Sequence, residues 1–481
     1  MVCLDHYLQE FFLKNSEENF VYDCAVVGAG IAGLATAELL TRRGKTVLLL
    51  ESEHAICLKA SSDHHGWFHM GSLYSIFWKT AFSKTLINGV EDLLEHYADF
   101  PNMNLDIDDS GKLIINSDND NGWFTGDKIS YYLACHNDSD FRAADTKGLF
   151  AKLKTVVVRF GWHMHIRRFI GRHNRFHNHI WRRSSKSASK NIPLAKFWDH
   201  TRRVIRPLIN DRVSLDPKTH IDIEGFDVTM RSKQIVEDLL NSFISLGGVV
   251  HTNCKVIDTM EKSNFHELVT TRGVYKTSKI VLACGAGMQN INTKTLKKFS
   301  AKNLQSPLMV TYPAIIDQNF VRMSPYVEKT INHLKHNLSG LEYSVIGGGY
   351  QLPASASHEE RQKIESTLKS NAANVFDIDF NEIQYAIYWG NKTEIIFSES
   401  ERNYQYSVTP LAHNVWAAIP GKFSLGFSLA IKAYECLFEE EFSNKLTPKF
   451  DTDMSNLVLD QTHTRIAHKL KLKSLSKIEG I

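Results

Sequence analysis

Gly28, Gly30 and Gly33 stand in the run VVGAGIAGLA, and Glu51 closes the apolar run that follows. Together they have the types and spacing of a dinucleotide site. Gly28 permits a tight turn, Gly30 lets backbone approach a pyrophosphate, and Gly33 lets a helix pack on a strand. Ala29 and Ile31 lie between and after them, where backbone N–H groups of a helix start face an anion. Glu51 suits the ribose hydroxyls of an adenosine and disfavours a 2′-phosphate, which argues against NADP at this site. A second group carries proton chemistry. His64, His65 and His69 are the densest histidines outside a basic segment described below. A neutral imidazole there can accept a proton from a substrate hydroxyl or amine. The blander role is to hydrogen-bond the loop or a phosphate. His333 and His336 form a further pair. Gly66 inside His65-x-x-x-His69, with no nearby carboxylate ligand, argues against a metal pair, and no metal site is expected.

These residues need positioning elements. Residues 22–27 read as a strand, 31–43 as a helix and 46–50 as a second strand, one βαβ unit. Residues 52–75 form a loop rich in Ser, His and Gly, and 78–100 look helical. An amphipathic helix is expected at 230–246, stopped by Gly247-Gly248, and a strand at 249–257. A hairpin around Arg272-Gly273 leads into a strand at 278–283 and the turn Cys284-Gly285-Ala286-Gly287. Residues 305–350 and 383–410 alternate as antiparallel strands do, with a charged helix at 358–373 between them. The chain continues with a strand at 414–419, a turn at 420–426 and a helix at 427–438.

The 481 residues allow two or three domains and a large core. The net charge of +3 excludes polyanion binding by bulk charge. The charge is unevenly placed. Residues 151–215 hold 16 Lys or Arg against Asp199 and Asp211, with Trp162, Phe169, Phe176, Trp181, Phe197 and Trp198 interleaved. Three readings stay open for this segment: contact with an acidic macromolecule such as RNA, docking on anionic lipid, or a solvated insertion. HKLKLKSLSK at 468–477 is a smaller basic patch. Seven cysteines without C-x-x-C spacing argue against a disulfide framework and for a reducing compartment. The N-terminal residues lack a secretory signal pattern, and no apolar run approaches a membrane span. A cytoplasmic protein is expected, at most peripheral on a membrane.

Three motifs resemble those of the D-amino-acid-oxidase-like FAD-dependent oxidoreductases, the family of glycine oxidase, sarcosine oxidase and L-2-hydroxyglutarate dehydrogenase. They are VVGAGIAGLATAELLTRRGKTVLLLE at 26–51, TTRGVYKTSKIVLACGAG at 270–287 and NVWAAIPGKFSLGFSLAIKAYECL at 414–437. A weaker match spans 227–257. The resemblance implies an α/β fold: a discontinuous Rossmann-like FAD-binding domain with an inserted α+β substrate domain built on an antiparallel sheet. The expected FAD-binding parts are 20–100, 220–295 and 411–445. The substrate domain would take 101–219 and 296–410, including the basic insertion at 151–215, and 446–481 would be a C-terminal tail.

The resemblance also implies site roles. Gly28, Ala29, Gly30, Ile31, Gly33, Glu51 and Ser52 would hold the adenosine and pyrophosphate. Val256 would offer backbone to adenine. Ser62, His64 and Gly66 fall in the loop that wraps the flavin in relatives. Ala283, Cys284 and Gly285 would pack beside FAD, and Cys284 is more readily a small packing residue than a covalent attachment point. Pro420, Gly421, Lys422 and Gly426 would face the flavin pyrimidine edge with N–H groups, a helix dipole and a cation. His69, His65, Lys422 and His333 are the catalytic expectations, with His69 favoured. Tyr388 and Trp389 would wall the pocket or sit in the core.

The expected activity is oxidation of a C–N or C–O bond of a small polar substrate, an amino acid, amine or hydroxyacid, by hydride transfer to flavin N5. Oxygen or a quinone would accept the electrons. The alternatives are a flavin monooxygenase or reductase acting on a larger metabolite, and an inactive flavoprotein-like binding protein that uses residues 151–215.

Overall fold

The computed structural model describes residues 20–134 (without 77–79, 108–112 and 117–120), 156–169 (without 159, 163 and 167) and 220–478 (without 292–300, 339, 396–404 and 440–445). Most of the basic stretch 151–215 lies outside the described residues. Its described beginning is helical, and Trp162, Ile166 and Phe169 bury against Trp67, Tyr131 and Met323.

A six-stranded sheet collects segments from across the chain. Its order is Ser407–Ala412, Val415–Ile419, Ile280–Leu282, Cys24–Val27, Val47–Leu50 and Val249–His251. All pairings are parallel except that of the two strands joined by the His413-Asn414 turn. Strands enclosed on both faces read as unbroken apolar runs, and CAVV and VLLL are fully buried. The helix Ile31–Arg42 packs on this sheet and is buried along its whole length. Its one charge pair is satisfied internally. Arg42 Nε donates to Glu38 Oε1 at 2.7 Å, Ser242 Oγ donates to the same oxygen at 2.8 Å, and Arg42 Nη1 donates to His96 O at 2.6 Å. Burial of charge is tolerated only with such partners. The helices Ser232–Ser245 and Gly426–Phe438 flank it.

The run expected as one strand at 249–257 divides in two. Val249–His251 joins the parallel sheet, whereas Val256–Glu261 opens a four-stranded sheet with His266–Thr270, Gly273–Thr277 and Val21–Tyr22. Asn253 at φ 50 turns the chain between them. The sequence does not reveal such a break, because both strands open on a β-branched apolar pair, Val249-Val250 and Val256-Ile257.

A nine-stranded sheet forms the second body. Its path runs Leu352–Pro353, Ala301–Tyr312, Leu341–Gly348, Ile331–Leu338, Phe320–Met323, Phe124–Ala134, His220–Met230 and Trp67–Phe68, with Gln384–Ile395 also pairing Ala301–Tyr312. The helix His358–Phe376 begins with a capping box. Glu360 N donates to Ser357 Oγ, and Ser357 N donates to Glu360 Oε2. Residues 462–478, expected within a tail, form a helix instead. Ala467 and Leu470 bury against Leu308 and Tyr343 of the nine-stranded sheet.

The loop that leaves Val47–Leu50 ties the two bodies together. Cys57 N donates to Ala29 O at 3.0 Å on one side. On the other, Trp67–Phe68 pairs with Val228–Thr229, and Met230 N donates to Gly66 O at 2.9 Å. Asp63 accepts from Asn391 Nδ2 and Thr462 Oγ1 at 2.8 Å each. The histidine-bearing residues 64–69 are thus fixed by sheet pairing rather than left as a free loop.

Candidate active site

The first strand–helix turn is as tight as its glycines require. Gly28 sits at φ +99, and a Cβ on it would lie 2.6 Å from Cys284 Cα. A Cβ on Gly33 would lie 1.8 Å from Gly28 O. Glu51 turns back onto this corner. Its Oε2 accepts from Ala29 N at 2.7 Å, and its Oε1 accepts from Glu53 N at 3.0 Å and Ser52 Oγ at 3.1 Å. Ile31 N donates to Ser61 Oγ at 2.9 Å. Ser61 is therefore the serine at the helix start. Ser62 Oγ lies 3.2 Å from Thr462 Oγ1 and faces the C-terminal helix. The helix has no side-chain cap at Gly30 and no acid in its first turn, so its positive end is not neutralised from within. A second helix start converges on the same corner. A Cβ on Gly426 would come within 2.9 Å of Ile31 Cγ1. Gly421, at φ 64, makes the turn that leads to it.

Ala283, Cys284 and Gly285 form the turn after Ile280–Leu282, directly against Gly28. Burial pushes the Cys284 thiol up to about 12, so it stays protonated and acts as packing. Val256 is buried at the start of its strand beside Cys254 and Leu268.

The histidines converge beyond this corner. The His64 ring meets Phe423 edge-on at 5.0 Å, and the His65 ring lies 6.3 Å from that of His69. Trp67 lies tilted against both, 5.4 Å from His65 and 4.4 Å from His69. Lys422 Nζ lies 5.1 Å over the ring of Tyr74, whose edge meets His69 at 5.3 Å. His336 lies across Gly66: a Cβ there would come within 2.5 Å of His336 Cε1, and Gly66 adopts φ +85. His336 Nε2 is 3.0 Å from His65 O. His463, from the C-terminal helix, packs tilted at 4.7 Å against His336 and hydrogen-bonds the Tyr343 hydroxyl at 2.8 Å.

His333 does not join this group. Successive side chains of a strand point to opposite faces, so residues three apart on Ile331–Leu338 diverge. His333 has both nitrogens engaged, with Gln318 O at 2.8 Å and Ser344 Oγ at 2.7 Å, and packs on Phe320 and Phe376. His336 is the member of the pair that faces the cluster. The same alternation separates Tyr388, which donates to His64 O at 3.3 Å, from Trp389, which donates to Glu365 at 2.6 Å.

Asp227 organises the centre. It is fully buried at the end of His220–Met230, and its Oδ1 accepts from Met70 N at 2.7 Å. Its Oδ2 accepts from the Tyr131 hydroxyl at 2.5 Å and stands 3.8 Å from His69 Nδ1. Burial alone would raise its carboxyl, but His69, Tyr131 and the Met70 N–H outweigh it and hold it below the usual range. Burial, with Lys422 nearby, pushes His69 down to about 4, against the pull of Asp227. His65 is lowered by burial and by His69, and burial brings His336 to about 4. These imidazoles are neutral at pH 7. His64 Nε2, His65 Nδ1, Trp67 Nε1 and His463 Nε2 are buried without a hydrogen-bond partner, and His69 Nδ1 has only Asp227 at 3.8 Å. Orphaned polar atoms at this density mark a surface built to meet a polar ligand.

Asp227, Tyr131, Ser61 and His463 were not legible as site residues. Tyr131 and Asp227 reach the loop through the sheet register, His463 through the docking of the helix Thr462–Ile478, and Ser61 lies in the loop itself without a motif of its own.

Residues 23–134 match the family model described as DAO, FAD dependent oxidoreductase. That segment, well under half of the chain, is similar to an FAD-dependent oxidoreductase domain of the DAO family. FAD is its cofactor, and the protein is an enzyme. Solved structures agree on the fold. The amino acid oxidase NikD superimposes with a TM-score of 0.59 at 11% identity, covering 90% of this chain and 99% of that one. L-α-glycerophosphate oxidase from Mycoplasma pneumoniae, with FAD bound, gives 0.57 at 14%, covering 91% and 98%. Glycine oxidase from Geobacillus kaustophilus gives 0.53 at 13%, covering 89% and 99%. No curated protein matches the sequence. The residues present fit FAD on two counts. Two helix starts meet at the glycine corner, as suits a pyrophosphate, and the orphaned ring nitrogens of His64 and His65 offer partners to a heterocycle. Among the described residues, no helix is long and apolar enough to cross a membrane.

Proposed function

We propose that this enzyme oxidises a C–O or C–N bond of a small polar substrate, an amino acid, amine or hydroxyacid, with His69 accepting the substrate proton. Bound FAD supplies the hydride acceptor, N5 of its ring. His69 carries the proposal. It is a buried neutral base, on a backbone pinned at Met70 N, with a buried carboxylate 3.8 Å from one ring nitrogen. When His69 takes a proton, Asp227 stabilises the imidazolium, and Tyr131 keeps Asp227 ionised and oriented. Lys422 adds positive charge beside the site, which favours an anionic substrate group or charge developing on the cofactor.

The cofactor-holding roles follow the same proposal. Gly28, Ala29, Gly30, Ile31 and Gly33 form the pyrophosphate corner, with Glu51 and Ser52 at the ribose and Val256 at the adenine. Cys284 and its neighbours pack beneath. His64, Gly66, Pro420, Gly421, Lys422 and Gly426 surround the flavin. The names of the similar structures support the substrate class: amino acid, glycine and glycerophosphate oxidases. The six-stranded sheet and its helices would form the discontinuous FAD domain, and the nine-stranded sheet would form the substrate domain. Oxygen or a quinone would reoxidise the flavin. The charge of 151–215 supports docking on an anionic surface.

The test is anaerobic mixing of the FAD-loaded protein with a panel of amino acids, amines and hydroxyacids. One class should bleach the flavin. Reduction by dithionite with no response to any panel member would count against the proposal.

A further inference from the structure

Two hairpin tips from different sheets meet on the surface, and no member of the histidine cluster takes part. The first joins Val256–Glu261 to His266–Thr270, where Glu261 and His266 are direct cross-strand partners. The second is the turn His413-Asn414, between Ser407–Ala412 and Val415–Ile419, with Asn414 at φ 55. One donor atom each from Glu261, His266 and His413 lies within 4.8 Å of the other two. Glu261 Oε1 and His413 Nδ1 are 3.2 Å apart.

Zinc binds imidazole nitrogen and carboxylate oxygen at about 2.0–2.2 Å in tetrahedral geometry, so two ligand atoms on one ion stand roughly 3.4 Å apart. The Glu261–His413 pair is already at that separation. His266 requires a shift of no more than about 1.4 Å, judged by the same tetrahedral edge. Two imidazoles and one carboxylate suit Zn²⁺, Co²⁺, Ni²⁺ or Cu²⁺, whereas Mg²⁺ and Ca²⁺ select oxygen. The rings are also held from behind. His266 hydrogen-bonds the backbone of His413. Asn414 Nδ2 lies 3.4 Å from His413 Nε2, and Lys279 Nζ donates to Asn414 Oδ1 at 3.4 Å. Such outer partners orient metal-binding histidines. An exposed Glu–His ion pair by itself stabilises little and needs no third donor. Here a buried imidazole from another strand completes the set.

We propose that Glu261, His266 and His413 bind one zinc-class divalent ion, with water at the fourth position. The ion would staple the four-stranded sheet to the edge of the parallel sheet. This proposal is independent of the substrate assignment.

The test uses the full chain, free of any affinity tag and dialysed against a chelator. Co²⁺ is followed by difference absorption beyond the flavin bands, and Zn²⁺ by competition with a chromophoric chelator. The expected result is one equivalent bound at micromolar or tighter affinity. His413→Ala and Glu261→Gln, both at exposed positions, should each weaken it by at least about tenfold. Zn²⁺ should raise the Tm of the wild type but not of the variants. Equal Zn²⁺ affinity in wild type and His413→Ala would overturn the site, and so would the absence of saturable binding.

Discussion

His69 Nδ1 faces Asp227 Oδ2 across 3.8 Å, and both side chains are buried. The carboxylate is fixed by Tyr131 and by the backbone of Met70, so the pair is positioned by a sheet rather than by a flexible loop. A proton acceptor in such a setting is neutral before the reaction and charged after it. The electrostatic value of Asp227 is therefore larger after proton transfer than before.

His69→Gln keeps much of the side-chain volume and removes the base. The rate of flavin reduction should fall by about 10²–10⁴-fold, the usual contribution of a positioned general base. Flavin content should be unchanged. Stopped-flow reduction under anaerobic conditions measures this. A variant as fast as wild type would remove His69 from the mechanism.

Asp227→Asn removes the charge that holds the His69 pKa up against burial and Lys422. Two effects follow with defined signs. The acid limb of kcat/KM should move to lower pH. The imidazolium formed on proton transfer loses its partner, so kcat should fall by about 10–10²-fold, on the scale of one to two pK units. A role limited to structure would lower kcat without moving the limb.

Gly66→Ala tests the contact that sets the loop. The new Cβ would meet the His336 ring at 2.5 Å and would force a non-glycine residue to φ +85. A loss of roughly 1–3 kcal/mol is expected from backbone strain alone. A double variant with His336→Ala removes the collision but keeps the strain. Chemical denaturation should show partial recovery. No difference between the single and double variants would mean that the ring does not set the loop.

The buried histidines predict acid sensitivity. His69 and His336 titrate at about 4 and His333 at about 3 in the fold, all lowered by burial, against about 6.5 in an unfolded chain. Below about pH 6.5 the unfolded chain binds protons that the folded chain refuses. Their stabilisation is thus present above pH 6.5 and is lost as pH falls toward 4. Each contributes a slope of about 1.4 kcal/mol per pH unit in that window. Asp63 and Asp238, raised by burial, act in the opposite sense but only nearer the carboxylate range. Tm should drop steeply between pH 6.5 and 4.5. A flat Tm across that window would contradict the buried neutral cluster.

The glycine turn and the helix that follows it were legible because their physics is local. Gly28, Gly30, Gly33 and Glu51 lie within one βαβ unit, and their constraints are backbone constraints. The buried histidine cluster was only partly legible. His69 and His65 stood out through local density, but choosing His336 over His333 needed the strand's facing direction. Asp227 and His463 needed the sheet register and the docking of a helix that reads as a basic tail. The pairing of Glu261, His266 and His413 is hidden for the same reason, since two hairpin tips supply it.

The most direct measurement is anaerobic flavin reduction by the substrate panel, run in parallel on wild type and His69→Gln. One amino acid, amine or hydroxyacid should bleach the wild-type flavin, and the variant should respond at least about 10²-fold more slowly. A wild-type flavin that dithionite reduces but no panel compound does would contradict this expectation, as would equal rates in the two proteins.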